Sequence, residues 1–167
     1  MRWELRQVDE HLVQELSERL GVNKFVAKLL VLRGIKTEED AKRFLNPTRQ
    51  TLRSPFLLKD MEKAVEILLR ARDNGEKVII HGDYDVDGIT GTAVLYTFLS
   101  ENGWNVDYYI PKRVDNGYGI QPQFVEEIVL KGFKTILTVD CGITAFEAVD
   151  KAKELGLNIV ITDHHQP

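Results

Sequence analysis

The sequence predicts an α/β fold: a parallel sheet flanked by helices on both faces, preceded by a small helical N-terminal region. Two observations lead there. From Asp60 onward, helical periodicity alternates strictly with short apolar runs, and strands joined through helices are crossover units that pair in parallel. Each of the four apolar runs also stops abruptly at carboxylates, imidazoles, basic side chains or glycines. Ligands of open α/β sheets sit beyond such strand ends.

Residues 1–59 read as a helical region and linker, and residues 60–167 as the α/β domain. Asp9 is placed to cap a helix with Leu12, Leu16 and Leu20 on one stripe, closed by Gly21. Asn23 caps a second, carrying Phe25, Val26, Leu29 and Leu30 and closed by Gly34, and Thr37 before Glu38, Glu39 and Asp40 starts a third. Asn46-Pro47 stops it, and the stretch to Pro55 has linker composition. Apolar stripes of this kind mean mutual packing rather than ligand binding.

In the second domain residues 60–73 carry Met61, Ala64, Val65, Leu68 and Leu69 at helical spacing and stop at Asn74-Gly75. Strands are expected at 78–80, 106–110, 135–139 and 158–162, with helices at 89–100, 122–130 and 145–155 between them. Pro122 suits a first helical position. The first strand runs into His81, Asp83, Asp85 and Asp87, and the second into Lys112, Arg113 and Gly117-Tyr118-Gly119. The third ends at Asp140 and the fourth at Asp163, His164 and His165. In a parallel sheet all four ends face one edge, which gathers these residues into one pocket.

At 167 residues with 43% hydrophobic content the chain can bury a core. No apolar run approaches the ~18 residues of a membrane span, and the charged start lacks a signal-peptide core, so a cytoplasmic protein without membrane contact is expected. The single Cys141 excludes an internal disulfide and a multi-cysteine zinc site. Net charge is −4, from 22 basic and 26 acidic residues. Setting aside the five carboxylates Asp83, Asp85, Asp87, Asp140 and Asp163 leaves 22 basic against 21 acidic groups, so charge neither supports nor forbids a polyanionic substrate.

Folding gives no reason to place three carboxylates at alternate positions behind a strand, because their mutual repulsion costs stability unless a cation offsets it. A hard divalent ion answers that cost, and the adjacent histidines favour a borderline ion such as manganese. Two bland alternatives fail. A calcium-binding loop starting at Asp83 needs glutamate at its twelfth position, where Val94 stands. A phosphatase with Asp83 as nucleophile explains neither Asp87 nor the histidine pair.

Taken together, H-G-D-Y-D-V-D-G-I-T-G-T-A at 81–93, R-V-D-N-G-Y-G-I at 113–120, V-D-C-G-I at 139–143 and T-D-H-H-Q-P at 162–167 closely resemble the successive motifs of the DHH phosphoesterase superfamily. The Gly-Tyr-Gly element resembles its branch of bacterial exonucleases specific for single-stranded DNA. F-L-N-P-T at 44–48 and S-P-F-L-L-K-D-M-E-K-A-V at 54–65 are similar to the segment before the catalytic domain in that branch.

The resemblance implies two manganese or magnesium ions, with His81, Asp83, Asp85, Asp87, Asp140 and His164 as the candidate ligands and Asp140 bridging. It implies that His165 contacts the scissile phosphate or leaving group, that Asp163 binds metal or holds its neighbours, and that Arg113, Gly117, Tyr118 and Gly119 contact substrate. The implied activity is 5′ to 3′ hydrolysis of single-stranded DNA to 5′-mononucleotides, with a single-strand-binding protein and a helicase as partners. Action on short oligonucleotides or cyclic dinucleotides, or a non-catalytic scaffold of the same fold, are the alternatives. The family pattern continues beyond His165 with another carboxylate and further domains. A fragment that folds, with little nuclease activity and weakened metal affinity, is therefore expected.

Overall fold

The computed structural model describes residues 4–112 and 119–166. The chain divides into two compact units, Met1–Leu57 and Leu58–Pro167. In the first, α1 (Glu10–Leu20), α2 (Lys24–Leu32) and α3 (Glu38–Leu45) each begin at a side-chain cap. Asp9 accepts from the amides of His11 and Leu12, Asn23 from Val26 and Thr37 from Asp40, at 3.0 to 3.2 Å. Such caps satisfy amides that have no partner inside the helix. Val13, Leu16 and Ala27 form a small buried core between α1 and α2. Where composition predicts a linker, two single 3₁₀ turns occur, Arg49–Thr51 and Pro55–Leu57.

The second unit runs α4 (Met61–Asp73), β1 (Lys77–Gly82), α5 (Val86–Glu101), β2 (Asn105–Tyr109), α6 (Pro122–Leu130), β3 (Phe133–Val139), α7 (Phe146–Glu154) and β4 (Asn158–Val160). The four strands form one parallel sheet in the order β2-β1-β3-β4. Ile79 and Ile136 point into a core with Val125, Ile128, Ala148 and Ala152 of α6 and α7. Val78, Ile80 and Leu137 point the other way, into Ala71 of α4 and Leu99 of α5. The period-two alternation of a strand thus feeds a core on each face. Among the described residues no helix is long and apolar enough to cross a membrane.

This order decides where a ligand can sit. From β1 the chain crosses outward to β2, then returns to lay β3 on the other side of β1. The crevice at that reversal, between the ends of β1 and β3, is the topological switch point at which open α/β sheets bind ligands. Asp83 follows β1 and Asp140 follows β3. One boundary differs from the sequence reading: α5 starts at Val86, three residues before 89, because Asp85 caps it, its Oδ1 accepting from the amides of Asp87 and Gly88 at 3.1 Å each.

Candidate metal centre

Each element delivers its acidic side chain through backbone contacts that the sheet fixes. Asp83 is 3% exposed, and its amide donates to the carbonyl of Val139 at 3.2 Å, which extends the β1–β3 pairing one step beyond the strand. Asp140 lies beyond the end of β3 with its amide on the carbonyl of Thr162 at 2.9 Å. Its φ is +61°, in the left-handed region that aspartate tolerates better than most residues. Thr138 and Thr162 stitch the same edge: the Thr162 hydroxyl donates to the Thr138 carbonyl at 2.6 Å, and the Thr162 amide to Thr138 Oγ1 at 3.2 Å.

Two groups of donor atoms converge here. Asp83, Asp85 and Asp140 form one, and Asp140, His164 and His165 the other; within each, one ligand atom per residue lies within 4.8 Å of the rest. Asp140 belongs to both. Its side chain is 6% exposed, and His164 Nε2 stands 2.8 Å from Oδ1. Even so, neither carboxylate oxygen has a hydrogen-bond donor in suitable geometry among the described residues. Burial pushes the Asp140 carboxyl above its ordinary range; His164 opposes the shift, while Asp85 and, more weakly, Asp87 add to it. A buried carboxylate left this short of donors is a site built for a cation, and the mixed oxygen and imidazole donors suit manganese, with magnesium served by the carboxylates.

Asp163 sits differently. Its side chain is 1% exposed, Oδ2 accepts from the Ile143 amide at 3.0 Å, and Oδ1 faces the His165 amide at 3.1 Å and Nδ1 at 2.7 Å. Burial works to raise its pKa, but those donors outweigh it and hold the carboxyl below the usual range. Hydrogen bonding to Asp163 in turn raises the His165 pKa. Both Asp163 oxygens are committed to fixing the loop after β3 and the His165 ring, which stacks on His164 at 4.5 Å. Sequence reasoning misses the αL turn at Asp140 and this clamp through Ile143; Asp-Cys-Gly after a strand is their only sequence trace.

His81 and Asp87 are brought into neither group. His81 is 1% exposed, with its ring against Phe124 (4.7 Å, edge-on) and Tyr109 (5.4 Å) and Nδ1 3.6 Å from Cys141 Sγ. A β1 residue inside the sheet points at a helix, not at the rim. Asp87 is exposed in the first turn of α5. Gly119 lies beside the same aromatic rings with φ +75°, Lys112 is exposed, and Arg113, Gly117 and Tyr118 lie outside the described residues.

Two measurable consequences arise from the buried pair. Burial lowers the His81 pKa from 6.5 to about 4. Below pH 6.5 the unfolded chain takes up a proton that the native fold refuses until about pH 4, so stability is lost as pH falls through that window, by at most ~3 kcal/mol. Urea unfolding of metal-free protein at pH 7 and pH 4.5 should show this slope, and His81→Leu should flatten it. Cys141 is fully buried, and burial, reinforced by Asp83 and Asp163, pushes its thiol up to about 12. Only a trace of thiolate exists at pH 8, so a disulfide reagent should label native protein at least ~100-fold more slowly than urea-unfolded protein.

Comparison with known proteins agrees with this geometry. The family model for the DHH family, N-terminal domain, matches residues 77–167, which takes in all four strands and both donor groups. The chain belongs to the DHH family. It is 43% identical over 167 residues to the single-stranded-DNA-specific exonuclease RecJ of Bacillus subtilis (strain 168), an alignment covering 100% of this chain and 21% of that protein. Among solved structures, exonuclease RecJ bound to manganese is similar with a TM-score of 0.62 and 41% identity, over 66% of this chain and 28% of that one. RecJ of Thermus thermophilus in complex with Mn2+ gives a TM-score of 0.68 and 32% identity, over 98% of this chain and 22% of that one. The chain thus spans about a fifth of the length of the curated DHH-family relatives it matches.

Proposed function

We propose that this chain carries the metal-binding part of a two-ion phosphodiesterase that acts as a RecJ-like exonuclease, removing 5′-mononucleotides from the 5′ end of single-stranded DNA. The observation that carries the reading is Asp140, a buried carboxylate short of donors and shared by two groups of potential ligands. Its relatives are named as single-stranded-DNA-specific exonucleases, and solved relatives hold manganese or magnesium. Bound there, two divalent ions would neutralise the phosphate and stabilise the attacking and leaving oxygens of an in-line displacement.

The chain's own residues would divide the work. Asp140, which belongs to both donor groups, would hold metal together with Asp83 and Asp85 on one side and with His164 on the other. Asp85 serves twice, since its Oδ1 caps α5 and thereby fixes the rotamer. Asp163 holds the Nδ1 edge of His165, so the ring is oriented before substrate arrives, and His165 meets the scissile phosphate or the leaving oxygen. His81 stays neutral behind the site, and Asp87 adds negative potential at its mouth. Work in the cytoplasm, in DNA repair and recombination alongside a single-strand-binding protein and a helicase, belongs to the same proposal.

Manganese titration tests the metal half. Two ions per chain are expected for the parent, and clearly weaker uptake for Asp85→Ala; equal uptake by both would overturn the reading. The substrate half is tested by exchanging these 167 residues for the matching stretch of the Bacillus subtilis relative. The exchanged protein should release a 5′ label from single-stranded DNA as mononucleotide in manganese and spare duplex. Label loss from the 3′ end first, or equal digestion of duplex, would sink it.

A further inference from the structure

The pairing of β3 with β4 changes character just before Asp163 and His164. The register matches Leu137 with Val160, and continued by the same step it would set Val139 beside Thr162 and Asp140 beside Asp163. In an unbroken parallel ladder the Thr162 amide would donate to the Thr138 carbonyl, and the Thr162 carbonyl would accept from the Asp140 amide. The second of these bonds is made, at 2.9 Å. In place of the first, the Thr162 amide donates to Thr138 Oγ1 at 3.2 Å, and the Thr138 carbonyl accepts from the Thr162 hydroxyl at 2.6 Å.

Two hydroxyls thus stand where one backbone hydrogen bond is expected. They hold the amide side of Thr162 off β3 while its carbonyl side stays in direct contact, so the chain turns as it leaves the sheet. That turn changes which residue meets Asp140. Asp163, the neighbour by register, has its carboxylate on the Ile143 amide at 3.0 Å, and His164 brings Nε2 to 2.8 Å from Asp140 Oδ1. Thr138 is fully buried, and the Gly142 turn closes over it: a Cβ on Gly142 would stand 3.3 Å from Thr138 Oγ1. Thr162 is exposed, so its hydroxyl can be removed without opening a cavity in the core.

We infer that Thr162 is a positioning residue: through the paired hydroxyls with Thr138 it holds the end of β4 off β3 and so places His164 against Asp140. The inference rests on the two-ion reading for why that placement matters, but the placement itself needs no metal. It acts on one donor group only. Asp83 and Asp85 reach Asp140 from the β1 side of β3, opposite β4. Without the Thr162 hydroxyl the Thr138 carbonyl loses its donor, and the replacement at hand is the Thr162 amide, since buried carbonyls are kept paired. That bond restores the regular ladder, draws the end of β4 inward and takes His164 away from Asp140.

The test compares Thr162→Val, which keeps the shape and lacks the hydroxyl, with Thr162→Ser, which keeps the hydroxyl. In manganese titrations Thr162→Val should retain one ion at parental affinity and bind the other ~10-fold or more weakly, the range for residues that orient a ligand. Thr162→Ser should bind both ions as the parent does. Metal-free crystal structures give the second readout. His164 Nε2 should stay at 2.8 Å from Asp140 in the parent and in Thr162→Ser, and move beyond hydrogen-bonding distance in Thr162→Val, with the Thr162 amide on the Thr138 carbonyl. Undiminished binding of both ions by Thr162→Val, equal weakening of both, equal loss in the two variants, or His164 unmoved in Thr162→Val would overturn the inference. A parent that takes up no manganese sinks the two-ion reading alone, because the metal-free structures still decide whether the hydroxyls place His164.

Discussion

The Asp140→Asn chain is expected to bind manganese more than ~100-fold more weakly than its parent and, free of metal, to be more stable. The two effects have one cause. Loss of even an indirect partner of a ligand costs metal affinity about 10–100-fold, and Asp140 stands in both donor groups, so its loss should exceed the upper end of that range. Without a cation the same carboxylate is a liability, buried, short of hydrogen-bond donors and close to Asp85 and Asp87. An amide of nearly the same shape removes that repulsion. A gain of roughly 1 kcal/mol would raise the melting temperature by about 2–4 °C for a protein of this size. Calorimetry in chelator, followed by manganese titration, checks both signs. A variant both less stable and unimpaired in metal binding would remove Asp140 from the centre.

The second large effect falls on a residue with no functional group. Gly88→Ala is expected to destabilise the second unit by ~3 kcal/mol or more, although alanine is the better helix former by about 1 kcal/mol. A Cβ at position 88 would stand 2.5 Å from the Asp83 carbonyl oxygen and 2.7 Å from the Asp83 carbonyl carbon and Cα. Those are backbone atoms held in the β1–β3 edge, so they cannot turn aside as a side chain would. Overpacking on this scale costs about 1–3 kcal/mol and at times more, which outweighs propensity. Relief requires the start of α5 to move away from β1, and that shift separates Asp83 from Asp85. Urea unfolding should therefore show a lower midpoint, and metal uptake should fall along with it. A Gly88→Ala chain as stable as the parent would mean that α5 does not approach β1 this closely.

Much of this architecture is legible before folding is considered. The caps at Asp9, Asn23 and Thr37, the proline opening α6, the four apolar runs and the polar residues behind each of them are local features. Local features follow from backbone hydrogen bonding and the periods of helix and strand. The sheet and its flanking helices follow from those periods, since strands joined through helices have one economical way to pair. The start of α5 is less legible, because an acidic run has the composition of a loop while one of its members, Asp85, is a cap.

What the tertiary structure alone decided is which polar residues meet. His81, Asp83, Asp85 and Asp87 look equivalent along the chain, yet they separate into a neutral ring buried among aromatics, two members of a donor group and an exposed first-turn carboxylate. The cause is geometric. His81 is still held in the β1 ladder and faces α6 as Ile79 does. Asp83 lies past the end of the strand, Asp85 caps α5 and Asp87 sits in its first turn, so the strand's alternation no longer sets where they point. Asp140 joins both groups only because β3 pairs with β1 on one side and β4 on the other, a neighbour relation fixed by crossover packing and written nowhere in the spacing of the motifs.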